Sequence, residues 1–261
     1  MHTDSMGGVV VTGAARGIGQ AIASALASQG YGVVVADIDE AAGQSAVEVV
    51  IQNDGKAIFC KVDVTDRDTV AAAVKSCEAE FGHLHGIVNN AGFNRPQHFL
   101  ETTDDNWNQI MTVNGLGVLI GIQEAAKAMI AAGTTGKIVS TASIAARGGD
   151  PDWAPYCASK AAVVSLTQAA AKHLAPHGIT VNAFGPGVVE TDLWTQLDKD
   201  LMDMGVSSRP GEAMENFSKF IPLGRTSTPQ DVVGTVAFLM SPASDYMTGQ
   251  CLMIDGGMVM Q

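Results

Sequence analysis

Three valines, Val9-Val10-Val11, run straight into Thr12-Gly13-Ala14-Ala15-Arg16-Gly17-Ile18-Gly19, and those glycines run straight into a helical stretch. An unbroken β-branched run suits a strand buried on both faces, and such a strand followed at once by a helix is the first half of a βαβ unit. Glycine at these spacings has a mechanical meaning. Gly13 makes the tight turn, Gly17 lets backbone approach a pyrophosphate, and Gly19 lets helix and strand pack closely. The helix N-terminus then presents free N–H groups to the phosphates. A glycine triplet alone is weak evidence; one placed between a strand and a helix has the context that a dinucleotide loop requires.

The same alternation continues through all 261 residues. Strands are expected at 8–12, 32–37, 57–61, 86–89, 136–141, 179–184 and 250–254. Helices are expected at 17–29, 40–52, 66–81, 104–132 (broken in two near Val113), 155–175 and 229–240. Thr65 with Asp68 resembles a capping box, and Thr228-Pro229 supplies an N-cap followed by proline at the first helical position. The pattern predicts an α/β chain: a single-domain Rossmann fold, with a doubly wound parallel seven-stranded sheet and helices on both faces. One domain is expected over 1–261, since α/β folds of roughly 250 residues are commonly single. From about 186 to 225 no strand is signalled, yet Trp194, Leu197, Leu201, Met202, Met204, Met214, Phe217 and Phe220 lie among charges and glycines. A loop that long inside a compact domain is usually functional. It reads as one or two short helices forming a substrate lid, the bland alternative being a surface excursion.

Asp37 ends the second strand, near twenty residues beyond the glycines, where an acid accepts hydrogen bonds from a ribose 2′-hydroxyl and repels a 2′-phosphate. Ile38 follows, at a place where an NADP enzyme often has a base. Arg16 inside the loop is the counter-indication, but no second base stands beside it. Asp37 therefore decides for NAD(H), with NADP(H) as the alternative.

A second pair carries chemistry. Tyr156 and Lys160 lie four apart at the start of an alanine-rich helix, so both side chains share one helical face. A nearby cation favours the phenolate, which would draw the tyrosine's pKa down from about 10 toward a general acid/base range. Many helices carry a Tyr and a Lys at that spacing by chance; the surrounding sequence has to decide.

Composition limits the partners. A formal charge of −12 argues against nucleic acid or an anionic membrane surface as the partner and for a small-molecule substrate. No apolar run approaches the roughly 18 residues that span a bilayer, and Met1 to Met6 carry no signal-peptide pattern. Cys60, Cys77, Cys157 and Cys251 have no metal-ligand spacing, which suits free thiols in a reducing cytoplasm. A cytoplasmic protein without a metal at its catalytic site is the expectation.

With Tyr156-x-x-x-Lys160 and Thr12-Gly13-x-x-x-Gly17-x-Gly19 together, the chain resembles the short-chain dehydrogenase/reductase family. Further landmarks follow in order: Asp63-Val64 after the third strand, Asn89-Asn90-Ala91-Gly92 at the fourth, Asn114, Ser143, Asn182, and Pro186-Gly187-x-x-x-Thr191. The resemblance covers essentially the whole chain and implies a catalytic tetrad of Asn114, Ser143, Tyr156 and Lys160. Tyr156 would exchange a proton with the substrate oxygen. Lys160, with the charge of the oxidised nicotinamide, would lower its pKa. Ser143 would polarise the carbonyl oxygen, and the Asn114 backbone carbonyl would hold a proton-relaying water. The cofactor would lie along Gly13, Arg16, Gly17, Ile18, Gly19, Asp37, Ile38, Asp63, Val64, Asn90, Ala91, Gly92, Tyr156, Lys160, Pro186, Gly187, Val189 and Thr191.

Wording such as Gly136–Val139 and Leu174–Asn182 is similar to acetoin reductases (butanediol dehydrogenases) and sorbitol-type polyol dehydrogenases within that family. The resemblance implies an NAD-dependent oxidoreductase interconverting a secondary alcohol, in a polyol, sugar alcohol or vicinal diol, with its ketone. The substrate pocket is expected from Asn94, Ser143, Ile144, Asp150, Trp153, Gly187, Val188, Trp194 and Met202. Asp150, Asp152 and Asn94 would pair with extra hydroxyls, or else the two aspartates merely solvate a Gly-Gly-Asp-Pro turn. Two other functions share these landmarks: an NADPH-dependent 3-oxoacyl-carrier-protein reductase, and a non-catalytic NAD-binding scaffold. The resemblance also implies a homotetramer packed through the 113–132 and 155–175 helices, where Ile120, Ile122, Ala125, Ala126, Val163, Val164, Ala169 and Ala170 extend the apolar surface beyond one face. Some relatives hold a structural Mg²⁺ at the C-terminal carboxylate, and this ending is compatible with one.

Overall fold

The computed structural model describes residues 6–260. Its strands are β1 (Gly8–Thr12), β2 (Gly32–Asp37), β3 (Lys56–Lys61), β4 (Leu84–Asn89), β5 (Gly136–Thr141), β6 (Ile179–Pro186) and β7 (Cys251–Ile254). All pair in parallel in the order β3-β2-β1-β4-β5-β6-β7. Successive side chains leave a strand on opposite faces, so each valine run feeds two cores. Val10 and Val34 enter the one shared with α3 (Arg67–Phe81), α5 (Gly117–Ala132) and α6 (Ala154–Leu174). Val9, Val11, Val33 and Val35 enter the one shared with α1 (Gly17–Ser28), α2 (Glu40–Gln52) and α9 (Pro229–Met240). The doubly wound seven-stranded sheet is as expected, with strand ends moved by one or two residues.

Three local expectations change. First, α3 is capped by Asp66, whose carboxylate accepts from Asp68 N–H, rather than by a Thr65/Asp68 capping box. Thr65 instead donates its hydroxyl and its N–H to Asp63. Second, α4 (Asp104–Met111) runs into α5 without a break. Between them, residues Thr112–Leu116 wind as a π-helix, so the irregularity near Val113 widens the helix instead of interrupting it. Third, that continuous stretch, Asp104–Ala132, has the length and mean hydropathy to cross a membrane, although no single apolar run in it does. Half of its apolar window is buried inside the fold, as befits a core helix.

The excursion after β6 forms α7 (Asp192–Asp203) and α8 (Glu212–Ser218). These close over a small core of their own, in which Val188, Trp194, Leu197, Leu201, Ala213 and Ile221 gather. Both ends of the excursion are tied together at its base. Val189 bridges Ser227 in parallel, Glu190 N–H donates to Ser227 O at 2.9 Å, and Ser227 N–H donates to Val188 O at 2.9 Å. Thr226 also donates to Glu190. At α9, Asp231 accepts from both the N–H and the hydroxyl of Thr228 and pairs with Arg225, so the expected N-cap also anchors the end of the excursion. Burial raises the Cys77 thiol to about 12, and all four cysteines are free.

The helices expected to form a subunit contact give much of their apolar surface to their own fold. Ile120, Ile122, Ala125, Ala126 and Val163 are all buried within the chain. Val164 and Ala170 are half-buried and Ala169 is exposed. The site depends on tight packing at the sheet centre, where Gly86 of β4 faces β5. A Cβ there would overlap the Lys137 carbonyl and come within 2.6 Å of Met240 Cε. Gly86→Ala should cost about 1–3 kcal/mol and lower the melting temperature by roughly 3–8 °C in a thermal scan.

Candidate active site

The crossovers leave the sheet in opposite senses from β1 and β4, which lie side by side. That is a topological switch point, and a crevice opens beyond the C-terminal ends of those strands. The two chain segments at its floor are stitched together by side chains. The Thr12 hydroxyl accepts from Asn90 N–H at 3.0 Å and from Ala91 N–H at 3.1 Å. The Asn90 amide donates to Thr12 O and Gly13 O, both at 3.1 Å, and accepts from the Thr141 hydroxyl at 3.3 Å.

The glycines stand where a side chain would not fit or would strain the backbone. Gly13 (φ +62°) lies so near Ala91 that a Cβ would come within 2.8 Å of its Cα. A Cβ on Gly19 would overlap the Gly13 carbonyl, so helix and loop touch through bare backbone. Gly17 (φ +56°) opens α1 beside Thr191. Alone among the helices flanking the first three strands, α1 begins without a side-chain cap and without an acid in its first turn. Its N–H groups are thus left for an anion. Both carboxylate oxygens of Asp37 accept backbone N–H bonds, from Ala15 and from Asp39, each at 3.0 Å. Arg16, the counter-indication to NAD, is ion-paired with Asp39. The Ala42 N–H, with help from Arg16, holds the Asp39 carboxyl below its ordinary range.

Asn114 lies in the π-helical turn, fully buried. Its side chain is a clamp: Oδ1 accepts from Phe93 N–H at 3.0 Å, and Nδ2 donates to Phe93 O at 2.9 Å and to Ser159 Oγ at 3.1 Å. Ser159 in turn donates to the Tyr156 carbonyl at 2.7 Å. The Asn114 side chain thus fixes the start of α6, a function that the sequence reading, occupied with its backbone carbonyl, did not include. Lys160 follows one turn after Tyr156, with Nζ 5.6 Å from the phenol ring centroid. Its ammonium donates to the Thr141 carbonyl at 2.8 Å and is only 4% exposed. Gly92 stands close by, where a Cβ would lie 3.5 Å from Nζ. Ser143, buried on the loop after β5, accepts from Ala145 N–H at 3.1 Å and lines the same cleft as Tyr156.

Burial decides the protonation of this pair. It pushes the Tyr156 phenol up to about 12, against a hydrogen bond from Ser143 that works to lower it. Burial also pulls Lys160 down to about 8. The expectation that Lys160 draws the tyrosine's pKa down is corrected for the protein's own groups, because the dry pocket destabilises both charged forms. The phenol is protonated at neutral pH, and the ammonium is close to releasing its proton.

A cleft of about 690 Å³ joins these parts. Every residue expected along the dinucleotide lines it, from Gly13 to Thr191, and so do Ser143, Tyr156 and Lys160. Of the residues expected around the substrate, Ser143, Gly187 and Trp194 line it, whereas Asn94, Ile144, Asp150, Trp153, Val188 and Met202 do not. The reasons are local. Asp150 Oδ1 accepts from Asp152 N–H at 2.9 Å and so serves its own turn. Asp152 pairs with His98. Val188 is buried in the small core under α7 and α8, and Trp153 packs behind Trp194 with ring centroids 6.3 Å apart. Asn94 is buried one residue beyond the Asn114 clamp, with its Oδ1 unpaired. The lining also includes residues not foreseen: Asp39, Phe93, Val113, Thr141, Asp192 and Leu193 among them. Phe93 and Val113 adjoin foreseen residues and were within reach of the sequence. Thr141 also gives Lys160 its carbonyl partner, which no side-chain motif signals. The terminal carboxylate of Gln261, proposed for Mg²⁺, lies outside the described residues. Among the described residues no group of three or more His, Cys, Asp or Glu is gathered.

A doubly wound parallel sheet, a glycine loop at its switch point and a Tyr/Lys pair across the same cleft define a Rossmann-fold oxidoreductase. Comparison with known proteins agrees. A family model described as enoyl-(acyl carrier protein) reductase matches residues 13–259. An L-2,3-butanediol dehydrogenase of Corynebacterium glutamicum is 42% identical over 253 residues, covering 96% of this chain and 97% of that protein. A galactitol 2-dehydrogenase of Agrobacterium fabrum is 39% identical over 248 residues, covering 95% of each. A crystal structure of a short-chain type dehydrogenase/reductase from Mycobacterium marinum matches with a TM-score of 0.88 at 35% identity, over 98% of this chain and 96% of that one. The chain belongs to the short-chain dehydrogenase/reductase family. It is an oxidoreductase of the alcohol dehydrogenase kind.

The depressed Lys160 value has a measurable consequence. Between about 8 and the unfolded value of about 10.5 the unfolded chain binds the proton that the folded chain has lost, so this group makes stability rise with pH. Tyr156 acts oppositely, but only above its unfolded value of about 10. Thermal melts from pH 7 to 10 should show a rising component in the wild type that is missing in Lys160→Met.

Proposed function

We propose that the protein interconverts a small secondary alcohol, in a vicinal diol or polyol, with its ketone, using NAD(H). The observation that carries this reading is the placement of Tyr156, Lys160 and Ser143 on the cleft that also holds the glycine loop and Asp37. The residues fit a dinucleotide: α1 offers uncapped N–H groups behind a loop too tight for side chains, and Asp37 stands at the end of β2. When bound, the nicotinamide supplies the acceptor or donor of the hydride. Tyr156 gives its phenol proton to the ketone oxygen during reduction; in oxidation it first yields that proton toward Lys160 and, as the phenolate, takes the hydroxyl proton. Ser143 holds the substrate oxygen by a hydrogen bond. Lys160 stabilises the phenolate as it forms, and its pKa of about 8 suits it to pass the proton onward. Asn114 keeps Tyr156 and the 90–93 loop in register through Ser159 and Phe93.

Cofactor choice rests on two groups. The Asp37 carboxylate would repel a 2′-phosphate, and Arg16, held by Asp39, does not offset it. Substrate size rests on Trp194, which lines the cleft and is backed by Trp153 and Phe217. That wall suits a four-carbon diol or a slim polyol, in keeping with a relative named for 2,3-butanediol and one named for galactitol. The family model's description names an acyl-carrier-protein reductase. A chain of charge −12 is a poor docking surface for an acidic carrier, so that reading ranks second. The protein acts in the cytoplasm as a homotetramer, with the exposed Trp107, Leu116 and Ala169 on the contact faces.

Turnover should be measured on 2,3-butanediol, acetoin and a set of polyols with both cofactors; activity confined to acyl thioesters or steroids would overturn the assignment. Tyr156→Phe should lose at least ~100-fold in kcat with little change in NAD affinity, whereas a scaffold would show no turnover in either protein. Asp37→Ser should gain NADP-linked activity, and a wild type already favouring NADP would refute the role given to Asp37. Light scattering of the purified protein should give four chains per particle.

A further inference from the structure

Among the described residues, the cations lining the cleft are Arg16 and Lys160. Lys160 belongs to the catalytic end beside Tyr156, whereas Arg16 shares its part of the lining with Asp37, Ile38 and Asp39. Left free, a guanidinium there would favour a 2′-phosphate, which brings close to two negative charges and oxygens that match its fork of N–H groups. It is not free. Its Nη2 donates to Asp39 Oδ2.

Asp39 is itself fixed before it meets the guanidinium. Its Oδ1 accepts from Ala42 N–H at 3.1 Å and so caps the N-terminus of α2. Its own N–H donates to Asp37 Oδ1 at 3.0 Å, while Asp37 Oδ2 accepts from Ala15 N–H, next to Arg16, at 3.0 Å. The β2–α2 turn and the glycine loop are thereby laced together through two carboxylates. Lys61, opposite Asp37 in the register of β2 and β3, follows the same plan more loosely, with Nζ 3.8 Å from Glu40. Successive acids at the start of α2 thus answer the base of the glycine loop and the base at the end of β3.

We propose that Asp39 is a specificity-determining residue for the cofactor: it withholds Arg16 from a 2′-phosphate, so that NAD(H) is selected by this pairing as well as by the Asp37 carboxylate. This rests on the reading of the cleft as a nicotinamide dinucleotide site.

The two carboxylates act differently. Asp37 opposes a 2′-phosphate by its own charge. Asp39 cancels the charge that would attract one, and a phosphate has to draw Arg16 away from a carboxylate that the α2 cap holds in place. With both acids present, two carboxylates outweigh one guanidinium and that end of the cleft is net negative. With Asp39 neutral, the charges balance and the guanidinium is available. The chain thus carries part of a 2′-phosphate site that a single side chain keeps out of use.

Asparagine and serine cap a helix about as well as aspartate, so Asp39→Asn and Asp39→Ser keep the start of α2 while releasing Arg16. Fluorescence titrations with NADH and NADPH give a ratio of affinities in which general damage to the fold cancels. The ion pair is exposed, which keeps the effect modest: the ratio should shift toward NADPH by about two- to fivefold in both variants. Calorimetric titration with 5′-AMP and 2′,5′-ADP, which differ by the 2′-phosphate alone, should show the same shift with no nicotinamide present. Arg16→Gln separates release of the guanidinium from mere loss of a negative charge. In the Asp39→Asn background it should remove the gain, whereas in the wild type it should change the ratio by less than about twofold. A gain that survives Arg16→Gln, or an unchanged ratio in both Asp39 variants of a protein that prefers NADH, would overturn this proposal alone. A wild type that prefers NADPH would overturn it together with the role given to Asp37. Failure of every alcohol in the turnover assay would overturn the functional reading and leave the titrations to judge Asp39.

Discussion

The knot between Thr12 and Asn90 is the constraint on which this structure turns. Where β1 and β4 lie side by side and their crossovers diverge, the chain at the strand ends has no helix above it, and its backbone groups need other partners. One hydroxyl accepts two backbone N–H bonds there, and one carboxamide answers two carbonyls. With its polar groups settled internally, the crevice floor can be narrow and built from glycine without collapsing. Everything placed above it inherits that geometry: α1 on one side, and the Gly92-Phe93 segment beside Lys160 on the other.

A second line of bonds runs from Phe93 through Asn114 and Ser159 to the Tyr156 carbonyl. It passes through the π-helical turn, so the local cost of widening a helix is coupled to the position of the tyrosine. Among the described residues, the ammonium of Lys160 is hydrogen-bonded by one backbone carbonyl. A cation so placed is poorly solvated, and the stability lost there is the counterpart of its reactivity. A phenol held protonated and an ammonium held near neutrality give the cleft one group of each kind to move a proton in either direction.

Much of this was legible in the sequence because the motifs carry their own geometry. Three glycines between a strand and a helix permit few backbone paths, and a Tyr and a Lys one helical turn apart must share a face. What escaped were interactions made by backbone atoms or by residues with ordinary alternatives. Nothing in the spelling of Thr141 says that its carbonyl receives Lys160. For the protein's own groups, spacing makes the charge proximity of Lys160 and Tyr156 visible but not the burial that outweighs it. Asp150 and Asp152 could be read as hydroxyl-binding groups or as turn residues, and they serve a turn and a histidine. Spacing within a loop does not tell which neighbour a carboxylate will find.

The clasp at the base of the lid has a meaning for how such a protein can change. Val188–Glu190 and Thr226–Ser227 are joined directly by hydrogen bonds, so the segment between them begins and ends at one place. For an excursion whose ends are already joined, each doubling of length costs only about 0.6 kcal/mol in closure entropy. Insertions, deletions or wholesale replacement of α7 and α8 therefore leave the sheet, the glycine loop and the Tyr/Lys pair almost untouched. The excursion is an exchangeable cassette on a fixed chemical chassis, and it can be rewritten without rebuilding what lies beneath it.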